Sequence, residues 1–203
     1  MSNKDLSVYI VDDDAAVRDS LALLLKSVGL SARTFESGVE FLECFDKNWQ
    51  GCILLDIRMP GISGMEVQRQ LVANGCNMPI IFITGHGDIP AAVEAMHLGA
   101  YDFVQKPFED QELLDRIQQA LADHQHHHGE REVRQDILER YESLTPREKE
   151  VMRNVVKGHA NKVIAMDLDI SQRTVEIHRA RVMEKMQIRS LAELVKLSMA
   201  IDL

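Results

Sequence analysis

The chain has 203 residues, which is more than a single compact core usually organises, so its length favours two domains. Its formal net charge of −9 is uneven: residues 1–122 carry 9 Lys and Arg against 18 Asp and Glu, residues 123–142 carry 3 against 6, and residues 143–203 carry 11 against 8. No apolar run approaches the roughly 20 residues of a membrane span, the start MSNKDL lacks a signal-peptide core, and the three cysteines lack metal-type spacing. These features predict a soluble cytoplasmic protein with no membrane partner, whose acidic part holds a cation and whose basic part meets a polyanion.

Residues 1–122 alternate strand and helix patterns five times. Short apolar runs predict strands near 7–11, 31–35, 52–56, 79–84 and 103–106. Apolar residues at helical spacing predict helices near 15–28, 38–45, 64–74, 89–98 and 110–122. This alternation predicts an α/β domain with a doubly wound, five-stranded parallel sheet covered on both faces.

The remainder of the chain changes character twice. Residues 123–142 are polar and charged, which predicts a linker that, if helical, is broken near Gly129. Residues 143–203 have no strand pattern and split into helices near 146–157, 162–168, 172–186 and 190–200. Thr145 with Glu148 forms a capping-box pair, and Asn161 and Ser171 are the expected N-caps of the next two helices. A small all-α domain of four helices is therefore expected.

Polar residues stand where the predicted strands of the first domain end: Asp12, Asp13, Asp56, Thr84 and Lys106. The carboxyl ends of parallel strands line one crevice, so these side chains should converge. Carboxylates suit Mg²⁺, and a lysine suits a phosphoryl group. The pattern predicts that Asp56 attacks a phosphorus atom, that the other two carboxylates help to hold Mg²⁺, and that Thr84 and Lys106 contact the phosphoryl oxygens.

A simpler interpretation is that the first aspartates only cap a helix and that Asp56 only begins a turn. Asp14 is the expected N-cap in either case, because Ala15 opens the predicted helix. The coincidence of residue type at four strand ends favours the phosphoryl site.

The last part has the order of a helix-turn-helix, with NKVIAMDL, DIS and QRTVEIHRARVMEKM in succession. Val175, Val182 and Met186 recur at core spacing in the third segment. The predicted DNA contacts lie mainly on its other face and at the start of the preceding helix: Lys162, Gln172, Arg173, Thr174, Glu176, Ile177, Arg179, Ala180, Arg181 and Lys185. A solvated amphipathic helix in a protein-interaction domain is the alternative.

The first 122 residues resemble the receiver domain of two-component response regulators, a flavodoxin-like fold, through VYIVDDD, LLDIRMPGISG, IIFITGHGD and GAYDFVQKPF. The resemblance implies that Asp56 accepts a phosphoryl group from a histidine kinase. It also implies Mg²⁺ ligation by Asp13, with Asp12 close behind, by Asp56, and by the main-chain carbonyl of Arg58. Thr84 and Phe103 resemble the switch pair, and Lys106-Pro107 resembles the family's cis peptide.

Residues 144–200 resemble the LuxR-type DNA-binding domain of the NarL/FixJ class through LTPREKEVM, NKVIAMDLDIS, RTVEIHRARVMEKM and RSLAELVKL. Glu176 and Ala180 stand where relatives often have basic residues, so no base preference carries over. The resemblance implies that the last helix, with Leu191, Leu194 and Val195, forms a dimer surface; ordinary core packing would account for part of the same residues. The two domains together look closest to FixJ-like regulators.

These patterns predict a transcription regulator in which phosphorylation of Asp56 promotes receiver dimerisation and binding to double-stranded DNA. The family resemblance implies that it also recruits RNA polymerase. They predict no enzyme beyond the receiver's own aspartyl phosphorylation and dephosphorylation, since the DxDxT pattern of aspartyl phosphatases is missing at Asp56. A protein-interaction module or phosphate sink that acts without DNA is the alternative. His124 and His126–His128 lack the ligand spacing of a defined metal site, which favours a solvated linker.

Overall fold

A computed structural model describes residues 6–85, 89–201 and 203. The chain divides into two compact units, Met1–His127 and His128–Leu203. The start of the chain, on which the expected absence of a signal peptide rests, and residues 86–88 of the IIFITGHGD segment lie outside the described residues.

The first unit is built on a parallel sheet in the strand order β2-β1-β3-β4-β5. Its strands are β1 (Ser7–Val11), β2 (Ser31–Phe35), β3 (Gly51–Asp56), β4 (Ile80–Thr84) and β5 (Asp102–Gln105). Its helices are α1 (Ala15–Ser27), α2 (Gly38–Cys44), α3 (Gly64–Ala73), α4 (Ile89–His97) and the first part of α5 (Asp110–Glu142). The expected doubly wound fold is confirmed, with element ends shifted by a few residues.

Two apolar clusters cover the two faces of the sheet. Successive strand residues point to opposite faces, so Ile53 and Leu55 of β3 belong to one cluster while Cys52 and Leu54 belong to the other. Every residue of β3 is buried. The central strand therefore holds its last residue, Asp56, at a fixed depth between the two layers.

Local capping positions the chain around the carboxyl edge of the sheet. The side chain of Asp14 accepts a hydrogen bond from the Ala16 amide at 2.8 Å, so the predicted N-cap of α1 is confirmed. At the start of α3, a Cβ on Gly64 would lie 2.2 Å from the carbonyl oxygen of Asp56. Only glycine fits there, because the backbone of α3 lies directly against the end of β3.

Helix α5 runs without interruption from Asp110 to Glu142, so the expected break near Gly129 is wrong. A Cβ on Gly129 would meet nothing within 4 Å, and the residue keeps an ordinary helical backbone. Side-chain pairs four residues apart support this stretch, including His128 with Glu132 and Asp136 with Arg140. Such pairs offset the cost of about 1 kcal/mol that glycine imposes on a helix interior.

The end of the expected linker belongs to the second core. Ile137 and Tyr141 are buried in the same cluster as Val151 and Val182, and Leu138 packs against that cluster. The second unit therefore begins before residue 143, at His128 by its contacts. Three apolar residues of a charged segment are therefore part of this core.

The second unit contains four further helices, as expected: α6 (Pro146–Val156), α7 (Asn161–Asp167), α8 (Gln172–Lys185) and α9 (Leu191–Ala200). The capping box of Thr145 and Glu148 is present, and Ser171 caps α8 by accepting from the Thr174 amide at 3.0 Å. The expectation for Asn161 is wrong, because Ala160 occupies the N-cap position of α7 and makes no side-chain cap bond. The turn between α7 and α8 passes through Asp169, whose φ of 52° is left-handed.

Candidate functional site

One lysine joins two aspartates at the carboxyl edge of the sheet. The Lys106 ammonium follows β5 and lies 2.9 Å from Asp12 Oδ2, after β1, and 2.9 Å from Asp56 Oδ1, at the end of β3. Both aspartates and Thr84, the last residue of β4, are buried. Residues 94 positions apart in the chain therefore meet at one site.

The second oxygen of each carboxylate is also held. Asp56 Oδ2 accepts a hydrogen bond from the Arg58 amide at 2.7 Å, and Asp12 Oδ1 accepts one from the Asp14 amide at 2.9 Å. The Arg18 guanidinium donates to the carbonyl of Asp12 at 2.7 Å. Each carboxylate is thus oriented by the turn that follows its own strand.

Burial and charge act in opposite directions on the ionisable groups of this site. Burial raises the pKa of Asp56 above its usual value, although the hydrogen bond and charge of Lys106 pull it down. Burial alone would lower the pKa of Lys106, but its hydrogen bonds to Asp12 and Asp56 outweigh this effect and raise it. The ammonium is therefore the group that keeps two buried carboxylates in one crevice.

The donor chemistry of the site fits a hard divalent cation. Oxygens of Asp12 and Asp56 already converge on one cationic group, and carboxylate oxygens are the ligands that Mg²⁺ prefers. Asp13 is exposed, and within the described ranges no three His, Cys, Asp or Glu side chains gather as a metal site would require. The roles of Asp13 and of the Arg58 carbonyl as Mg²⁺ ligands stay predictions.

The expected switch residues lie on neighbouring strands. The Thr84 carbonyl accepts from the Lys106 amide at 2.7 Å, which ties the end of β4 to the functional lysine. Phe103 of β5 pairs with Phe82 of β4 and packs, partly buried, against the core on that face of the sheet. The Lys106-Pro107 peptide is cis, as the family resemblance implied.

Helix α8 presents most of its predicted DNA contacts to solvent. Val175, Val182 and Met186 are buried, as their spacing predicted. The exposed residues of the predicted set are Lys162, Gln172, Arg173, Glu176, Ile177, Ala180 and Arg181. Sequence spacing therefore separated the core face of α8 from its outer face.

The exposed pair Arg173 and Glu176 lies 3.4 Å apart, and the three partly buried residues of the predicted set make further contacts within the second unit. Arg179 donates to Asn161 Oδ1 at 2.9 Å, and the Lys185 ammonium lies 2.6 Å from Glu148 Oε2. The Thr174 hydroxyl lies 2.8 Å from the hydroxyl of Ser171. Sequence reasoning recognised Glu148 only as a capping residue, and no local signal could show its second bond, because Lys185 follows 37 residues later.

Helix α9 is only partly a surface element. Leu194 is 1% exposed and belongs to the core of the second unit, so it cannot line a dimer surface in this conformation. Leu191 is 46% exposed and Val195 is half-buried. Met199, which lies one turn beyond Val195, is 72% exposed. The exposed apolar stripe of α9 is therefore Leu191, Val195 and Met199.

Two family models account for most of the chain. The response regulator receiver domain matches residues 8–118, and the luxR family of bacterial regulatory proteins matches residues 142–198. The chain belongs to the two-component response regulators that join a receiver to a LuxR-type DNA-binding domain. No helix within the described residues is both long enough and apolar enough to cross a membrane.

Particular relatives match over nearly the whole chain. The transcriptional regulatory protein FixJ of Bradyrhizobium diazoefficiens is 47% identical over 192 residues, which is 95% of this chain and 94% of FixJ. The response regulator protein TodT of Pseudomonas putida is 46% identical over 200 residues, which is 98% of this chain and 87% of TodT.

Solved structures agree with the sequence comparison. A low-resolution structure of the response regulator StyR has a TM-score of 0.91 and 45% identity, covering 96% of this chain and 98% of StyR. Full-length FixJ from B. japonicum has a TM-score of 0.59 and 45% identity, covering 97% of each chain. The expected similarity to FixJ-like regulators is confirmed.

Proposed function

We propose that this response regulator is switched by phosphorylation of Asp56, in a Mg²⁺-dependent transfer from a histidine kinase. The observation that carries the proposal is Lys106, whose ammonium lies 2.9 Å from both Asp12 and Asp56. A buried carboxylate held beside an ammonium at a strand end has the geometry of an aspartyl nucleophile with a cationic partner for the incoming phosphoryl group.

The chain's own residues perform the transfer as follows. An oxygen of Asp56 forms a bond to phosphorus while the bond from phosphorus to the kinase histidine breaks, and the histidine nitrogen keeps that electron pair. Lys106 then pairs with a phosphoryl oxygen instead of the Asp56 carboxylate. The hydroxyl of Thr84 donates to another phosphoryl oxygen, and Phe103 changes its packing behind it. Asp12, Asp13, Asp56 and the Arg58 carbonyl would hold Mg²⁺, which would supply neutralising charge at this site.

The second unit carries the output. We assign the exposed cations Lys162, Arg173 and Arg181 to DNA phosphates. Glu176 accepts from a cytosine amino group, and Ile177 packs on a thymine methyl. Double-stranded DNA is the ligand that suits a helix-turn-helix with these groups on its outer face.

Phosphorylation of Asp56 promotes formation of a dimer. The exposed stripe of α9 forms the contact between two second units, and two recognition helices then face a two-fold operator. The dimer acts in the cytoplasm and recruits RNA polymerase directly. The names of FixJ, a transcriptional regulatory protein, and of TodT, a response regulator protein, support a role in transcription regulation.

The experiment that tests the proposal measures duplex-DNA affinity and solution mass with Mg²⁺, in the presence and absence of beryllofluoride as an aspartyl-phosphate mimic. We expect beryllofluoride to produce a dimer and to tighten DNA binding together, and the affinity ratio then measures the coupling free energy. Fluoride without beryllium is the control. If beryllofluoride changes neither quantity, the switch does not act on the DNA-binding unit, and a protein-interaction module or phosphate sink becomes the better account.

A further inference from the structure

A buried carboxylate lies at the N-terminal end of the second unit's first complete helix. Glu148 is the third residue of α6 and is 2% exposed. Its Oε2 accepts a hydrogen bond from the Thr145 amide at 2.9 Å, which is the ordinary capping-box bond. A single amide does not compensate the burial of a full negative charge, so this carboxylate needs a cationic partner.

Lys185, the last residue of α8, is that partner. Its ammonium lies 2.6 Å from Glu148 Oε2 and 3.2 Å from the carbonyl oxygen of Ser143. Burial alone would raise the pKa of Glu148, but the bonds from Lys185 and Thr145 outweigh burial and lower it. The Glu148 carboxylate is therefore ionised at neutral pH, and two acceptors specify where the Lys185 ammonium lies.

Two further contacts hold the C-terminal half of α8. The Arg140 guanidinium of α5 donates to the carbonyl oxygen of Met186, just beyond the end of α8, at 3.4 Å. Arg179 donates to Asn161 at the start of α7. The C-terminal half of α8 is thus tied to three other helices by charged side chains, whereas Arg181 between these anchors is exposed.

We propose that Lys185 is a positioning residue. Its ammonium, bound to Glu148, fixes the C-terminal end of the recognition helix on the start of α6, so that the outer face of α8 meets DNA in one orientation. Lys185 does not neutralise a DNA phosphate. This assignment replaces the sequence-based prediction for Lys185 and rests on the proposed DNA binding of the second unit.

The test compares four full-length variants with the wild type. The ligand is a fluorescein-labelled, mixed-sequence duplex of about three helical turns, which is long enough for two DNA-binding units to bind one turn apart. Affinity is measured across a salt series, because each phosphate contact contributes about one unit to the slope of log affinity against log salt. Lys185→Met and Glu148→Gln break the anchor, Lys185→Arg keeps a cation on it, and Arg181→Met removes an exposed cation from the same helix.

We expect Lys185→Met to weaken binding by roughly threefold to thirtyfold, the range of coupled contacts, while leaving the salt slope unchanged. Glu148→Gln should weaken binding as well, although it removes a negative charge from the DNA-binding unit. Lys185→Arg should restore most of the affinity. Arg181→Met should instead lower the slope by about one unit.

A phosphate contact predicts the opposite pattern. If Lys185→Met lowers the slope by about one unit and Glu148→Gln tightens binding by freeing the ammonium for DNA, the positioning role is overturned. Hydrogen exchange of peptides from α6 and α8 separates this result from a failure of the DNA-binding function itself. If the wild type does not bind duplex DNA, the anchor still predicts faster exchange at the start of α6 and the end of α8 in Lys185→Met but not in Arg181→Met, and equal exchange in both variants contradicts it.

Discussion

At the residue scale, one lysine in each unit forms an ion pair with buried carboxylates. Lys106 lies between two buried carboxylates, and Lys185 lies against one. In each place the ammonium compensates the desolvation of acidic groups that the fold brings into its interior. Removing either lysine should therefore leave a buried charge, which costs more than the loss of an ordinary surface ion pair.

Lys106→Met should destabilise the first unit by about 2 kcal/mol or more, because Asp12 and Asp56 then repel each other without a shared cation. Added Mg²⁺ should recover more stability in this variant than in the wild type, since the metal no longer competes with the ammonium. Urea denaturation followed by Trp49 fluorescence, with and without Mg²⁺, measures both effects.

Lys47→Met is the matched control, because Lys47 is an exposed lysine of the same unit. If both variants lose equal stability, or if Mg²⁺ stabilises them equally, Lys106 does not hold the two carboxylates together as the distances suggest.

Glu148 should make the stability of the second unit depend on pH. Its pKa in the folded chain is lowered from the usual 4.5, so its contribution is present above that value and is lost as the pH falls through the lower folded pKa. The free energy of unfolding should therefore decline on acidification below about pH 4.5, and Glu148→Gln should flatten that decline. Methyl resonances of Val151 and Val182 across urea series at several pH values provide the measurement, and an equal decline in both proteins would rule out this carboxylate as the cause.

At the scale of elements, α5 and α9 show how tertiary contacts reassign a segment. Residues 123–142 have few apolar side chains, yet they form a helix without a break, and the last turns supply Ile137 and Tyr141 to a core. Helix α9 has apolar residues on several sides, and the core takes Leu194 while Leu191 and Met199 stay exposed. In both helices some apolar side chains are buried in the core while others stay exposed to solvent.

Gly129→Ala should stabilise α5 by about 1 kcal/mol or less, because the position is helical and a Cβ meets no neighbour. Hydrogen exchange of peptides around residues 125–133 should slow. Ala122→Gly, at an exposed position of the same helix, should speed exchange around its own site by a similar factor. Unchanged exchange in Gly129→Ala would indicate that the helix is interrupted there in solution.

Two substitutions in α9 should have separate consequences. Met199→Glu should weaken the beryllofluoride-induced dimer by about 1 kcal/mol or more without destabilising the monomer, since Met199 is 72% exposed. Leu194→Ala should destabilise the second unit by about 2 to 5 kcal/mol, because it empties a core position.

Sedimentation equilibrium and urea denaturation distinguish these outcomes, with Lys196→Glu as an exposed control on the same helix. An equal effect of Met199→Glu and Lys196→Glu on the dimer would indicate that net charge, rather than the apolar stripe, controls assembly.

At the scale of the whole molecule, the receiver has a net negative charge and the output unit has a net positive charge. Residues 1–122 carry an excess of 9 acidic groups, and residues 143–203 an excess of 3 basic groups. A protein with a net charge of −9 can therefore still approach DNA through one part of its surface.

Asp56→Asn should abolish labelling by acetyl phosphate and phosphate-dependent dimerisation together, because an amide cannot form the acyl phosphate. Asp19→Asn, an exposed change of the same type in the first unit, should leave both intact. Phosphate-affinity electrophoresis and solution mass under phosphodonor are the readouts. Dimerisation that persists in Asp56→Asn under phosphodonor would separate assembly from the aspartyl site.

Local patterns in the sequence determined most of this architecture. Short apolar runs predicted all five strands, because strands that are covered on both faces are apolar throughout. Helical spacing of apolar residues, together with capping residues, predicted the four helices of the output unit. Strand ends predicted which polar residues would meet, and the structure brings Asp12, Asp56 and Lys106 within hydrogen-bonding distance, with Thr84 at the neighbouring strand end. The capping box at Thr145 and Glu148 needed only a spacing of three residues.

Contacts between distant segments select which of several compatible roles each residue takes. Lys185 has the spacing of a DNA contact, but a carboxylate 37 residues earlier holds its ammonium. Leu194 has the character of a dimer residue, but the core closes over it, and Asn161 receives Arg179 instead of capping its helix. Periodicity and capping are local properties that a sequence displays directly, whereas the partner of a buried charge and the side on which an apolar residue is covered depend on segments that only folding brings together.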